Sequence, residues 1–389
     1  MDLGYWQLLM LPLFFGLGWI AARVDIRHVV RESRVLPRSY FQGLNFLLNE
    51  QPDKAIDAFL EVAKGDAETV ELNFALGGLF RRRGEAERAI RMHQSLVDRD
   101  NLNEEIRLQA LSELGQDFLK IGLLDRAEAI FLKLQDSSLQ DEARNYLMEI
   151  YQLEKDWAKA IKVARVLPNL YSGKEIAQFH CELAANEMMR SRFDTASALL
   201  GEALAAHRKC VRASLLQGDL ALQEDKPEAA IAAWQRIEQQ DATYLALVAQ
   251  RLLDAYRRLD KTGEGLALLR AYLERYPSLD LLDSVYQLEQ ETEGMEAAYR
   301  LVLAELKRNP SLLGLEKLMD ARLPLLSGPE GRNDLELARS IIQGYTRRLA
   351  RYRCDHCGFR ARQFYWRCPA CGGWETYPPR RAEEFDPLL

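Results

Sequence analysis

The chain has 389 residues, 48% of them hydrophobic, which is enough to bury a core spread over more than one domain. With 52 basic against 58 acidic side chains and a formal charge of −6, it lacks the overall positive field of a nucleic-acid binder, so any such contact has to be local. Four of the six cysteines form two Cys-x-x-Cys pairs, and Cys181 and Cys210 stand alone, a pattern that suits metal ligands plus reduced thiols in a reducing compartment better than a disulfide framework.

From Leu3 to Ala22 there is no Asp, Glu, Lys or Arg. About 20 helical residues at 1.5 Å rise match a hydrocarbon core of about 30 Å, so residues 1–22 are expected to form a transmembrane anchor. Tyr5, Trp6 and Trp19 lie near its ends, where aromatic rings favour the interface. Residues 23–39 form a basic juxtamembrane linker, with Arg23, Arg27, Arg31, Arg34 and Arg38 against Asp25 and Glu32. No basic side chain precedes the span, so the positive-inside tendency makes everything after it cytoplasmic. A cleaved signal would need a basic leader and a small-residue cleavage site, and neither pattern is here.

Residues 40–310 return to one helical pattern at a period of about 34 residues, the mark of a repeat array. A small residue is followed three positions on by an aromatic, then by an alanine and a bulky residue in the next helix. Gly43, Phe46, Ala55 and Phe59 make one set; Gly77, Phe80, Ala89 and His93 the next; Gly115, Phe118, Ala127 and Phe131 a third. Met148, Tyr151, Ala160 and Ala164 continue it, and Ala184 with Leu200, Gly218 with Trp234 and Leu253 with Leu269 keep the phase. The pattern resembles the tetratricopeptide repeat, in which small residues let paired helices touch and aromatics fill the gaps between units. Pro277 and Pro310 fall where second helices should stop, and the unit around Leu281 to Pro310 reads as degenerate. The expected fold is all-α: a tetratricopeptide-repeat solenoid with an N-terminal transmembrane helix and a small C-terminal rubredoxin-like zinc ribbon.

Within the array, Arg81, Arg82, Arg83, Arg88 and Arg91 form a basic cluster that reads mainly as surface charge, although it could receive an acidic segment. His93 occupies a packing position. His180 with Cys181 and His207 with Cys210 lack metal-ligand spacing and read as core thiols beside incidental histidines.

Residues 311–350 are expected to be terminal helices and linker, 351–377 a metal knuckle, and 378–389 a tail that is mobile from Arg380. Cys354-Asp-His-Cys357-Gly and Cys368-Pro-Ala-Cys371-Gly can deliver four thiolates to one ion, with Gly358 and Gly372 permitting the left-handed turn beside a ligand. Soft sulfur donors favour one zinc, and the same set accepts iron. Tyr352, Phe359, Trp366 and Trp374 around the pairs look like the two knuckles of a rubredoxin-type ribbon. So short a module needs its metal as a folding staple and is expected to dock on the last repeats. Its arginines, Arg347, Arg348, Arg351, Arg353, Arg360, Arg362 and Arg367, make it basic.

The combination resembles the bacterial lipopolysaccharide assembly protein B family. The resemblance covers the whole chain and is most specific at Tyr40 to Leu48 with Asp53-Lys-Ala55, Gly84-Glu85 with Arg88-Ala-Ile-Arg91, Phe179 to Ala184, and Arg351 through Trp374. It implies a single-pass inner-membrane adaptor with its bulk on the cytoplasmic side. Such a protein helps a membrane-bound ATP-dependent metalloprotease degrade the deacetylase that commits precursors to lipid A. Lipopolysaccharide export proteins and a membrane regulator are further implied partners. Of the site residues only Cys354, Cys357, Cys368 and Cys371 carry over, as metal ligands. Two other readings are a rubredoxin-like electron carrier and an RNA-binding scaffold using the basic ribbon, although nucleic acid is disfavoured by the charge. An enzyme is not expected: there is no nucleophile motif or phosphate loop, and four thiolates leave no open position on a metal.

Overall fold

The computed structural model describes residues 41–43, 45–46, 49, 51, 54–59, 70–100, 102–167, 171–326, 328–346 and 352–381. The expected anchor (1–22), its basic linker (23–39) and the tail beyond Arg381 lie outside the described residues. Among those described, no helix is long and apolar enough to cross a membrane. The chain divides into two compact units, Met1–Ile150 and Tyr151–Leu389.

The first unit contains α1 (Val70–Arg83), α2 (Ala86–Val97), α3 (Glu104–Lys120), α4 (Leu124–Leu134) and most of α5 (Gln140–Glu154). The second continues with α6 (Trp157–Val166), α7 (Gly173–Met189), α8 (Phe193–Ala206), α9 (Val211–Gln223), α10 (Pro227–Gln235) and the short α11 (Ile237–Asp241). There follow α12 (Leu245–Arg258), α13 (Thr262–Arg275), α14 (Leu279–Thr292), α15 (Met295–Arg308), α16 (Leu312–Arg322) and α17 (Pro329–Thr346). Two short strands, β1 (Tyr352–Arg353) and β2 (Arg360–Ala361), come last. This is the expected mostly helical array with a small terminal ribbon.

The repeat spacing has a direct steric cause. A Cβ added at Gly43 would meet the Phe59 ring, at Gly77 the His93 ring, at Gly115 the Phe131 ring and at Gly218 the Trp234 indole. Each glycine therefore exists to admit the bulky side chain of the helix that follows it, which is the small-to-bulky relation of the sequence pattern. Ala184, Leu200, Leu253 and Leu269 are likewise buried. The second helices stop as expected, α13 at Arg275 before Pro277 and α15 at Arg308 before Pro310. The unit read as degenerate is a regular pair, α14 with α15.

A second periodic feature was not apparent from the residues. Six first helices end in one left-handed residue, at Gly84, Gly122, Lys155, Ser191, Asp225 and Asp260. In each case the next amide reaches back to close the helix: Glu85 to Phe80, Leu123 to Phe118, Asp156 to Tyr151, Arg192 to Glu187, Lys226 to Ala221 and Lys261 to Tyr256, all at 2.9 Å. This is the Schellman closure, which satisfies carbonyls that a helix end leaves without partners. Only two of the six positions carry the glycine that favours the conformation.

The arginine cluster on α1 and α2 is more consumed than its sequence suggested. Arg81 Nη1 donates to Asp117 Oδ1 at 2.9 Å, and Arg81 Nη2 pairs with Glu113 at 2.5 Å. The other Asp117 oxygen lies 2.5 Å from His93 Nδ1 in a fully buried contact. Arg88 covers the Phe80 ring at 4.1 Å and pairs with Glu85, to which Arg83 also reaches. Arg82 and Arg91 remain exposed. His93 is a core residue, as expected, and its Nδ1 also contacts the buried carboxylate that pairs with Arg81.

Candidate metal centre

The two Cys-x-x-Cys segments fold alike because the same backbone bonds recur in each. Cys354 N–H donates to Phe359 O at 2.8 Å and Gly358 N–H to Cys354 O at 2.9 Å. In the second segment Cys368 N–H donates to Gly373 O and Gly372 N–H to Cys368 O, both at 2.9 Å. Gly358 and Gly372 have φ of 75° and 70°, a region that a side chain would strain. β1 and β2 pair antiparallel, Tyr352 opposite Ala361 and Arg353 opposite Arg360, and so draw the first knuckle closed.

All four Sγ atoms lie within 4.8 Å of one another. Cys354 and Cys371 are 3.8 Å apart, and Cys357 and Cys368 3.7 Å. A tetrahedron with metal–sulfur bonds of about 2.3 Å has edges of about 3.8 Å. The four cysteines therefore form a set that could bind one metal, and at such separations no two sulfurs are in disulfide contact, which needs about 2.05 Å. Cys354 and Cys368 are buried, Cys357 is exposed and Cys371 half-buried. The Gly373 amide donates toward Cys371 and lowers its thiol, which favours the thiolate form that a metal ligand needs. His356 lies within the first knuckle and is not a member of the four-donor set. Beneath the sulfurs, the fully buried Tyr377 packs with Tyr352, Phe359, Phe364 and Tyr365, and its hydroxyl donates to Tyr352 O at 3.1 Å.

The outer face of the ribbon is committed to the repeats. Trp374 meets Trp157 and Phe179 edge-on, at 5.8 and 6.1 Å, and those two rings stack on each other. Trp366 stacks on Tyr244, and Phe364 meets the same ring edge-on. The Arg212 guanidinium lies 5.7 Å from the Trp366 ring and 5.8 Å from that of Trp374, while Glu182 holds it at 2.9 Å. Gln178 Nε2 donates to Glu375 Oε1 at 2.6 Å, and Arg367 Nη2 to Gln152 Oε1 at 2.8 Å. Burial raises the Glu375 carboxyl above its ordinary value, with the Gln178 bond opposing. Tyr352 and Arg381 both reach Asp280.

Two expectations are corrected here. The ribbon does not sit on the last repeats; it spans the repeats from Gln152 at the end of α5 to Asp280 at the start of α14. The tail is not free from Arg380 onward, because the Arg381 guanidinium is tied to Asp280 and Pro379 is buried. Trp157, Gln178, Arg212, Tyr244 and Asp280 were not identified as a site from the sequence. The available signal was a ribbon of some 30 residues with too many aromatics to cover by itself. The lone cysteines are also less isolated than they read: Cys181 Sγ and Cys210 Sγ lie 3.8 Å apart in the core under this interface. His180 faces Glu202 at 3.3 Å, but burial lowers its pKa, so the pair is not ionic at neutral pH.

The ribbon matches the model described as rubredoxin metal binding domain over residues 352–379. The tetratricopeptide repeat model matches residues 42–101 and 182–244. A protein of Escherichia coli K12 named lipopolysaccharide assembly protein B is 36% identical over 96% of this chain and 97% of its own length. One of the same name from Haemophilus influenzae is 31% identical over 97% of this chain and 98% of its own. With a relative of that identity aligned along nearly its whole length, repeats and ribbon included, the chain belongs to the lipopolysaccharide assembly protein B family.

Proposed function

We propose that the chain is an inner-membrane adaptor that restrains lipopolysaccharide synthesis by presenting the lipid A-committing deacetylase to a membrane-bound ATP-dependent metalloprotease, in coordination with lipopolysaccharide export. The observation that carries this reading is the near full-length relation to proteins named for lipopolysaccharide assembly, on a repeat scaffold of the kind whose surfaces dock other proteins. Residues 1–22 hold the chain at the membrane with its bulk on the cytoplasmic side, and tethering raises the effective concentration of a captured client beside the protease. No chemistry is required of the adaptor itself.

In the same reading Cys354, Cys357, Cys368 and Cys371 hold one zinc, which clamps the ribbon and supplies no open position for a substrate. The donor set fits, and the role of these residues is to keep both knuckles closed so that Trp366, Trp374 and Glu375 stay aimed at the repeats. Cys368→Ser is expected to lose the metal and expose the ribbon to protease, since one lost thiolate breaks a tetrahedral site; unchanged metal content and protease resistance contradict it. A colourless protein with one zinc removes the electron-carrier alternative, and a red, redox-active one supports it. For the adaptor role, the half-life of the deacetylase is measured in cells carrying either the full chain or a chain without residues 1–22. The truncated chain should leave the deacetylase stable, and normal turnover refutes tethering.

A further inference from the structure

Cys181 and Cys210 are thiols that the metal centre does not use. Cys181 lies within α7, Cys210 stands at the start of α9 in the turn that follows α8, and both are fully buried. Their Sγ atoms are 3.8 Å apart, so a disulfide of about 2.05 Å needs them to close by about 1.8 Å. The two thiols are not equivalent. The hydrogen bond from Cys181 lowers the Cys210 thiol against the opposing effect of burial, and the Ala213 amide in the first turn of α9 adds to the lowering. The same bond, together with burial, raises Cys181. Cys210 is therefore the better nucleophile, and Cys181 keeps its proton. The ribbon closes over both. The fully buried Gln178 donates from one nitrogen to Cys210 Sγ at 3.7 Å and to Glu375 Oε1 at 2.6 Å, and the Glu375 charge opposes a thiolate on Cys210. Phe179, the next residue on α7, is covered by Trp374.

We propose that Cys181 and Cys210 form a site of reversible oxidation, closed to a disulfide by a hydroperoxide when the ribbon lifts from the repeats. With hydrogen peroxide, the Cys210 thiolate attacks one oxygen. The S–O bond forms, the O–O bond breaks, and the departing hydroxide takes up the proton that Cys210 had given to solvent and leaves as water. The Cys181 sulfur then attacks the resulting sulfenic acid. The S–S bond forms, the S–O bond breaks, and the second hydroxide leaves with the Cys181 proton, again as water. In sum, two thiols lose two electrons and two protons, and one peroxide becomes two waters. A small thiol reverses the change by exchange. Buried groups meet solutes only through local opening, and the ribbon, folded around its own four cysteines, is the element whose departure uncovers this pair. A cysteine in a core often serves only as a small apolar residue, but two sulfurs in contact, one of them activated, are also the arrangement that a disulfide requires. The disulfide is thus a covalent mark of ribbon release, and it does not depend on the adaptor reading.

The test exposes the full chain, purified in detergent with its metal bound, to hydrogen peroxide and follows linked peptides by mass spectrometry without reduction. A link between Cys181 and Cys210 should accumulate and disappear on addition of dithiothreitol. Trp366→Ala, which loosens the ribbon from Tyr244, should form the link faster by roughly five-fold or more, because opening becomes more frequent. In Cys181→Ala, Cys210 should stop at the sulfenic acid and be trapped by dimedone; in Cys210→Ala, Cys181 should take up far less. Links confined to the ribbon cysteines, with none between Cys181 and Cys210 in the parent or in Trp366→Ala, overturn the proposal and leave the pair as packing residues. Equal rates in the parent and in Trp366→Ala overturn the guarding role of the ribbon. Dimedone on Cys181 and none on Cys210 overturns the assignment of the nucleophile.

Discussion

Trp366 lies flat on Tyr244, their ring planes 3° apart and their centroids 5.4 Å apart, with the Arg212 guanidinium beside the same indole. Burial raises the Tyr244 hydroxyl well above its ordinary pKa, so the phenol stays neutral and the contact is insensitive to pH. Trp366→Ala removes the stack, the edge contact with Phe364 and one of the two rings beside Arg212, Trp374 remaining. The expected loss of docking is about 2–4 kcal/mol, by analogy with truncation of large aromatics. The metal site is built from other residues, so the variant should keep its metal while hydrogen exchange rises along 352–381 and around Tyr244. Loss of metal with no change in exchange near Tyr244 would place Trp366 in the folding of the ribbon instead.

Glu375 gives the interface a pH dependence with a definite sign. Its carboxyl is raised chiefly by burial, against the opposing pull of Gln178, Lys174 and His207 and with Asp241 adding to the shift. A carboxyl raised in the docked state binds its proton more tightly there than when free. Its stabilising contribution is complete below the ordinary carboxylate value of about 4.3 and is lost as pH rises through the raised value. Glu375→Gln should therefore protect the ribbon better than the parent at pH 7, with the advantage shrinking toward pH 5. Acid release of a metal affects both chains alike, so the difference between them carries the answer. Equal protection at pH 7 shows that the carboxylate is solvated.

The array was legible because its packing rule acts locally: Gly77 must be small so that the His93 ring, sixteen residues on, can fit against it. The two knuckles were legible for the same reason, since Gly358 and Gly372 close turns within their own segments. The interface was not. Gln178 and Glu375 are 197 residues apart, and nothing in either local pattern points to the other. The contact of Cys181 with Cys210 was also missed, because the two are 29 residues apart and stand in no motif. The closing turns escaped notice where lysine, serine or aspartate stands in for the glycine that marks such turns.

Those turns give a prediction opposite in sign to the usual cost of glycine. Ser191 sits at φ 57° between α7 and α8, where a side chain is held against its preference at about 1–2 kcal/mol. Ser191→Gly relieves that and gives back part of it through the greater freedom of the unfolded chain. A net gain of roughly 0.5–1 kcal/mol is expected, read as a higher denaturant midpoint at unchanged slope. The same change at Ser95, inside α2, should destabilise by a comparable amount. If both variants lose stability, the closure at Arg192 is not the conformation of the folded state.

Gly218 tests the packing rule itself. A Cβ there runs into the Trp234 indole, which is fully buried and donates its Nε1–H to Leu215 O at 3.1 Å. Turning the ring away from Gly218 would break that bond. Gly218→Ala should therefore destabilise the second unit by about 1–3 kcal/mol even though alanine is the better helix former. Trp234→Leu should also destabilise, by leaving a cavity where the indole was. If the two residues are coupled by volume, the double variant is more stable than the sum of the single losses predicts, by at least about 1 kcal/mol, because the methyl occupies space the indole has vacated. Strict additivity in chemical denaturation would mean that the small residue at this position serves something other than the bulky one sixteen positions later, and the recurrence of the pair along the array would need another cause.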